Sequence, residues 1–459
     1  MYIDNKIADK INTLRNYYNS GKLKNTEYRI KQLVQLKKML QENTAAILDA
    51  LKKDLNKSED EAWITEYNES VKEIDYMIKN VARWTKPKKV RTPLLQQPAA
   101  SYIYKDPLGV VLIIGPWNYP FVLMISPLAG ALAAGNCALL KPSEVSVNTS
   151  ALLADLIPLY FDRNIVDIVE GSVEETTEIL KLRFDHIFFT GGEIVGKVVM
   201  TAAAKYLTPV TLELGGKSPC IIDKTANIET AGKRIAWGKF INAGQTCIAP
   251  DYILVHRDIK DQIITSIRSA IRKSHGADPE KSESFGRIIN ENHFNRLTGL
   301  LNSGNTVFGG TTNPETKYIA PTILDNISAD SPVMQEEIFG PILPVITIDN
   351  IDEAIRFVNK KPKPLALYLF SESDTTQNRI LSETSSGGVC INDTIVHITS
   401  HNLPFGGVGT SGMGNYHGKA SFDTFSHKKS VLKRSTKIDP EIRYPPYKPF
   451  FKKVIELVS

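Results

Sequence analysis

A chain of 459 residues exceeds what one hydrophobic core usually serves, which implies two or more domains. With 42% hydrophobic and 23% charged residues and no long biased segment, its composition excludes a disordered or fibrous chain. The net charge of +5 is spread among nearly equal numbers of basic and acidic residues and marks no nucleic-acid footprint.

The first residues, Met1-Tyr2-Ile3-Asp4-Asn5-Lys6, break any apolar run with charge, so no export signal is expected. From Thr26 to Trp84 the spacing is helical: Thr26 is placed to cap a segment with Ile30, Leu33 and Val34 on one face, and Ile47, Leu48 and Leu51 repeat that spacing. Lys86–Pro98 is rich in proline and basic residues and leads into the alternating Tyr102-Ile103-Tyr104, which reads as an extended excursion from the main body. Short apolar runs then alternate with helical stretches, and Val110–Ile114, Ala138–Leu140, Ile165–Val169, Ile187–Phe189 and Val210–Leu214 read as strands. Parallel strands need crossovers, and the helices that make them cover both sheet faces; the alternation therefore predicts an α/β fold with a doubly wound parallel sheet. Ligands of such sheets sit at the C-terminal ends of the strands. The longest apolar stretch, Phe121–Ala134, contains Ser126, Pro127 and Gly130 and is shorter than the ~20 residues of a membrane span, so none is expected. A second α/β region runs from Gly215 to about Asn392, with strands such as Tyr252–Val255 and Val345–Ile348 and a helix over Asp261–Lys273. Pro404–Lys429 is dense in glycine, and Arg443-Tyr444-Pro445-Pro446-Tyr447 reads as an extended arm or tail.

Cys137, Cys220, Cys247 and Cys390 show no CxxC spacing, which argues against a disulfide framework or zinc site and for a reducing cytoplasm. Three of them lie in apolar, strand-like runs and read as small buried hydrophobes. Cys247 alone follows a helical stretch that ends at Gly244; a thiol in a loop is within reach of a substrate and is the candidate nucleophile. Glu213 ends a buried strand just before Gly215 and Gly216, where a carboxylate is either a general base or the partner of a lysine, two readings of equal weight on the residues alone. Asn118, in Gly115-Pro116-Trp117-Asn118-Tyr119-Pro120, follows the first strand directly and serves either an oxyanion or the turn itself. Thr190-Gly191-Gly192-Glu193-Ile194-Val195-Gly196 joins a strand to a helix whose first N–H groups can face a pyrophosphate, although it lacks the GxGxxG pattern. Lys141 and Glu144 follow the second strand, as ribose ligands or as a solvated ion pair. Tyr119, Trp237 and Ile395 either wall an apolar entry or belong to the core. His397, His401 and His417 show no ligand spacing and read as structural, and no metal is expected.

Five motifs occur in a telling order and spacing: Pro116–Pro120, Lys141-Pro142-Ser143-Glu144, Leu212–Lys217, Gly244–Cys247 and Glu337-Ile338-Phe339-Gly340-Pro341. In these the chain resembles the aldehyde dehydrogenase superfamily over nearly its whole length. The compact N-terminus, the run Gly412–Lys419 and Tyr444-Pro445-Pro446-Tyr447 are most similar to the class 3 branch, which acts on fatty and aromatic aldehydes.

The resemblance implies oxidation of an aldehyde to an acid. Cys247 would attack the aldehyde carbon, Asn118 and the backbone N–H of Cys247 would hold the resulting alkoxide, hydride would pass to nicotinamide, and Glu213 would activate the water that hydrolyses the thioester. It also implies cofactor contacts from Trp117, Lys141, Glu144, Thr190, Gly191, Gly192, Gly196, Leu214 and Gly215. Glu337 and Phe339 would lie at the nicotinamide ribose and ring, with Glu337 a second candidate base. The chain departs from relatives at Gly192-Glu193, where Ser-Thr is commoner, and so adds a negative charge beside the phosphates. NAD is the expected cofactor, with NADP accommodated by Lys141. The expected organisation is a dinucleotide-binding domain over 1–85 and 105–213, a catalytic domain over 214–395, a bridging segment over 86–104 and 396–445 that joins two subunits of a homodimer, and a tail over 446–459 packed on the partner. Two rivals stand beside this reading: an acylating enzyme in which a thiol such as coenzyme A resolves the thioester, and a non-catalytic protein that keeps the fold.

Overall fold

The computed structural model describes residues 5–439, 441–447, 450, 452, 453 and 456. Its helical lead-in comprises Asn5–Asn19, Thr26–Glu42, Thr44–Leu55 and Asn68–Trp84. The first of these went unread, although Ile7, Ile11 and Leu14 stand at helical spacing and are buried. In the second, the cap is Asn25 rather than Thr26: its side chain accepts the N–H of Tyr28 at 3.1 Å. The buried stripe runs through Arg29, Leu33, Leu36 and Leu40, while Val34 is 51% exposed and Ile30 only half-buried. A charged residue sets this register. Arg29 is buried and donates to the carbonyl of Leu23 at 2.6 Å, so the buried stripe that starts with it leaves Val34 on the outward face. Leu36→Ala is therefore expected to destabilise the fold by about 2–5 kcal/mol and Val34→Ala by less than about 0.5, read from denaturant midpoints; equal shifts would contradict the register.

Six strands form the first sheet, in the order Gly412–Met413, Val210–Glu213, His186–Thr190, Val110–Ile114, Cys137–Lys141 and Val166–Ile168. All neighbours are parallel except Gly412–Met413, which closes the edge antiparallel to Val210–Glu213. The chain winds outward from Val110–Ile114 and then returns to its other side with His186–Thr190, so the switch point of the doubly wound sheet lies between these two strands. The apolar stretch around Phe121–Ala134 is the helix Val122–Ala134, buried almost throughout, as a helix hydrophobic on every side must be. Among the described residues no helix is long and apolar enough to cross a membrane.

The second sheet has seven strands, ordered Asn305–Phe308, Thr322–Asp325, Ile342–Ile348, Tyr252–His256, Pro219–Ile222, Ala366–Phe370 and Gly388–Ile391. Only the first of these is antiparallel to its neighbour. A third sheet joins Lys88–Val90, Ala99–Pro107 and Ser426–Arg434, the last two paired over nine residues. This arm is narrower than the expected bridging segment. Residues 396–425 pack elsewhere, with Gly412–Met413 hydrogen-bonded into the first sheet, Tyr416 and Phe425 buried against Phe188 of that sheet, and Phe422 buried against Trp84. Most of the expected 446–459 tail lies outside the described residues.

The two main sheets are joined end to end. Glu213 ends a strand of the first and Pro219 begins a strand of the second, so five linking residues carry the chain from one C-terminal edge to the other's N-terminal edge. Pro219 is in register with Tyr252, and the segment before Tyr252 carries Cys247; the same junction therefore collects Glu213 and Cys247 from positions 34 apart in sequence.

Candidate active site

Cys247 lies past the helix Ile228–Phe240, which ends earlier than its apolar pattern implied; a tight turn over Ile241–Gly244 follows. Asn242 and Ala243 are held there at φ of 52° and 50°, and Phe339 and Ile395 are also left-handed, at 52° and 63°. Such backbone costs about 1–3 kcal/mol per residue and persists only where the surroundings impose it, commonly at functional sites. Here it bends the loop so that the thiol faces the junction. Cys137 and Cys220 are fully buried, whereas Cys390, expected as a core residue, is half-buried in its strand near the sheet edge.

The thiol is not ionised by its protein surroundings. Burial pushes its pKa up, and the carboxylates of Glu337 and then Glu213 add to the rise, while the N–H groups of Cys247 and Ile248 offset part of it. Both acids therefore lie within electrostatic reach of the sulfur. Burial alone drives Glu213 well above the usual carboxylate range. Neither of its oxygens has a hydrogen-bond partner among the described residues, so the alternative in which it is paired with a lysine is removed. Glu337 is pushed up to about 8, chiefly by burial and by Asp251, and its carboxylate accepts the N–H of Gly216. A Cβ on Gly215 would meet Glu337 Oε2 at 2.0 Å, which explains a glycine there.

Asn118 Nδ2 donates to the carbonyl of Gln245 at 3.0 Å, two residues before Cys247. That bond uses one of its two N–H groups and orients the other. Beside it, the Tyr119 hydroxyl lies 2.8 Å from Thr246 Oγ1.

Residues 7–431 match the aldehyde dehydrogenase family. The chain belongs to that family. It is 50% identical over 450 residues to the 4,4'-diaponeurosporen-aldehyde dehydrogenase of Staphylococcus aureus, covering 98% of each chain. It is 50% identical over 444 residues to the dimeric NADP-preferring aldehyde dehydrogenase of Canis lupus familiaris, covering 96% of this chain and 98% of the other. A solved structure of a Staphylococcus aureus AldH in a substrate-bound state superposes with a TM-score of 0.97 at 48% identity, covering both chains fully. This aldehyde dehydrogenase accordingly oxidises aldehydes to carboxylic acids with NAD(P).

The surface that fits the dinucleotide lies at the switch point of the first sheet. The helix Glu193–Ala204 begins at Gly192 with no side-chain cap, its first N–H groups are unclaimed, and a Cβ on Gly192 would meet open space. Gly191 donates its N–H to the Glu213 carbonyl at 3.0 Å, and the Thr190 hydroxyl is buried without a partner among the described residues. A Cβ on Gly196 would strike Leu214 at 2.8 Å, so glycine lets the helix close on the strand end. The added acid, Glu193, pairs with Lys197 at 2.6 Å, which balances its charge. Val173, Ile194 and Val198 present exposed apolar side chains between neighbouring helices, a surface suited to a flat base. Lys141 and Glu144 do form an ion pair, at 3.5 Å, of which only the acid is solvated: Lys141 is buried and donates to the Pro142 carbonyl at 2.7 Å, while Glu144 is exposed. Trp117 meets Phe339 edge-on, ring centroids 5.3 Å apart.

Several residues of the site escaped sequence reading. Lys57, Glu61 and Glu66 come from the helical lead-in at spacings that follow no periodicity, and no local signal marks them. Lys239 does carry one: a lysine on the apolar face with Ile235, Ala236 and Phe240, fully buried, its ammonium without a partner among the described residues. Burial pulls its pKa down to about 8. Of the three histidines, His401 and His417 stand 3.2 and 3.7 Å from buried Glu73, which agrees with a structural part. Trp237 is 46% exposed and Ile395 half-buried, both outside the core. Among the described residues no group of three or more His, Cys, Asp or Glu is arranged to hold a metal ion.

Proposed function

We propose that Cys247 is the nucleophile, Asn118 the oxyanion donor and Glu213 the base that hydrolyses the thioester. The observation that carries this reading is a buried carboxylate with both oxygens unpartnered beside the one loop thiol of the chain. The Cys247 thiol passes its proton to a base, a part open to the Glu337 carboxylate, and the thiolate adds to the aldehyde carbon; the free N–H of Asn118 and the backbone N–H of Cys247 receive the alkoxide, and one such donor is worth about 3–4 kcal/mol in the barrier. Bound nicotinamide supplies the hydride acceptor. Glu213 then takes a proton from water as the water adds to the acyl carbon, the sulfur leaves as thiolate, and the acid is released. Uncapped helix N–H groups at Gly192 and Glu193 hold the pyrophosphate, and Lys141 and Glu144 meet the adenosine ribose, Glu144 favouring a free 2′-hydroxyl and Lys141 tolerating a 2′-phosphate.

Tyr119, Trp237 and Ile395 line an apolar entry, which fits medium- and long-chain aliphatic or aromatic aldehydes. The Staphylococcus aureus relative is named for 4,4'-diaponeurosporen-aldehyde. A homodimer is the fitting assembly: the canine relative is named dimeric, and the arm exposes Leu94, Leu95 and Leu432. A cytoplasmic site of action suits its free thiols.

Absorbance of reduced nicotinamide, followed with an aldehyde series and each cofactor, tests the assignment. Expected is a kcat/KM that rises with chain length, about 10-fold or more per added pair of methylenes where both are buried, with NAD favoured and NADP used. Preference for short polar aldehydes would refute the apolar entry. Acceleration by coenzyme A would favour the acylating rival.

A further inference from the structure

Lys57 and Glu66 are both wholly removed from solvent and form an ion pair with each other. Lys57 follows Asn56, whose left-handed backbone ends the helix Thr44–Leu55; Glu66 sits in a π-helical turn over Trp63–Tyr67, an irregularity common at functional positions. Taking two charges out of water is costly, and a well-packed apolar pair would serve stability as well or better. What the pair does with its remaining valences is therefore informative. Lys57 Nζ donates to the Asn118 carbonyl at 3.2 Å and stands 3.9 Å from the centroid of the Tyr119 ring. Glu66 Oε2 accepts the N–H groups of Phe121 and Val122 at 2.9 and 3.2 Å. Every one of these bonds lands on residues 118–122.

That segment is also tied to the nucleophile loop. Asn242 Nδ2 donates to the Asn118 carbonyl at 2.8 Å and to the Gln245 carbonyl at 3.1 Å, and the Asn242 N–H is held by Glu61 at 2.8 Å. Gln245, in turn, is fixed by the carbonyls of Asn242 and Arg287 and by the N–H of Ile289. The lysine thus fixes the peptide whose side-chain amide is read as facing the reacting oxygen, sharing its carbonyl with Asn242 of the nucleophile loop.

The geometry points to Lys57 and Glu66 as positioning residues of aldehyde oxidation, which set the aim of the Asn118 amide. This rests on the reading of Asn118 as the oxyanion donor. A merely structural pair would lower stability and leave the chemistry of the folded fraction alone. A positioning pair acts on the transition state through Asn118, and an ångström of misplacement there costs up to about 10²-fold in rate.

The test is a double-mutant cycle in the full-length enzyme with saturating cofactor, reading kcat and the KM for aldehyde. Asn118→Ala should lower kcat by about 10²–10³-fold. Lys57→Met, which keeps the stem and removes the charge, should lower kcat by about 10–100-fold with KM within about 2-fold. In the Asn118→Ala background the same substitution should cost less than about 2-fold, since nothing remains to be aimed. Equal losses from Lys57→Met in both backgrounds, or no loss in either, overturn the proposal. If Asn118→Ala keeps full kcat, the oxyanion reading itself fails, a separate outcome. Should Lys57→Met not fold, Lys57→Arg and Glu66→Gln carry the same cycle, judged by the same non-additivity.

Discussion

Cys247→Ala is expected to abolish aldehyde oxidation, by about 10⁴-fold or more in kcat, while cofactor binding followed by tryptophan fluorescence stays unchanged. In the proposed steps the sulfur forms the only covalent link to the substrate, so no other group can take over its part, and the residues proposed to hold the dinucleotide belong to other elements. Rates equal to the unsubstituted enzyme would remove the mechanism. The sulfur also carries a pH signature. Burial and two carboxylates hold its pKa above the ordinary thiol value, and thiolate appears only as pH rises, so alkylation by iodoacetamide should climb from about pH 7 to about pH 10 without levelling. Glu337→Gln removes one of the two opposing charges and should speed alkylation above about pH 8, where Glu337 is ionised, with little effect near pH 7. A plateau below about pH 8 would show a thiol activated by its protein surroundings, contrary to this environment.

Glu213→Gln is expected to separate the two halves of the reaction. The first turnover, read as a burst of reduced cofactor, should persist, while steady turnover falls by about 10²–10⁴-fold and acyl-enzyme of increased mass accumulates. The sign of its pH dependence follows from burial. A carboxyl held well above its usual range is protonated at low pH and acts as a base only once it ionises, so the hydrolytic rate rises with pH in the unsubstituted enzyme. That rise should vanish in the glutamine variant. If instead Glu337→Gln removes it, with its titration near the value of about 8, the base is Glu337. Full steady turnover in Glu213→Gln upon addition of a free thiol would favour the acylating rival.

Much of the architecture was readable from local pattern. The strand Val110–Ile114 occupies its expected residues, and the other parallel strands of the first sheet lie within two residues of their apolar runs, because a strand buried on both faces is written as an unbroken apolar segment; the antiparallel edge strand Gly412–Met413, too short to carry such a pattern, was not read. Glycine carried information wherever a second chain segment came close: Gly196 under Leu214 and Gly215 under Glu337. The errors arose where a polar residue held a buried position. Arg29 took the place an apolar residue was expected to hold, and Val34 was placed inward as a result. Lys57, Glu66 and Lys239 were passed over for the same reason, since charge reads as surface until a partner is found for it.

The candidate reacting groups and the alternation of strands with helices belong to the chain's local pattern, in which a loop thiol, a carboxylate before two glycines and a turn asparagine each stand out from neighbours of a different kind. Their union does not. Two sheets meeting end to end bring residues 57, 118, 213, 247 and 337 around one point, and a buried carboxylate acquires its raised proton affinity only there, because burial is a property of what surrounds a residue and cannot be read from the residue itself.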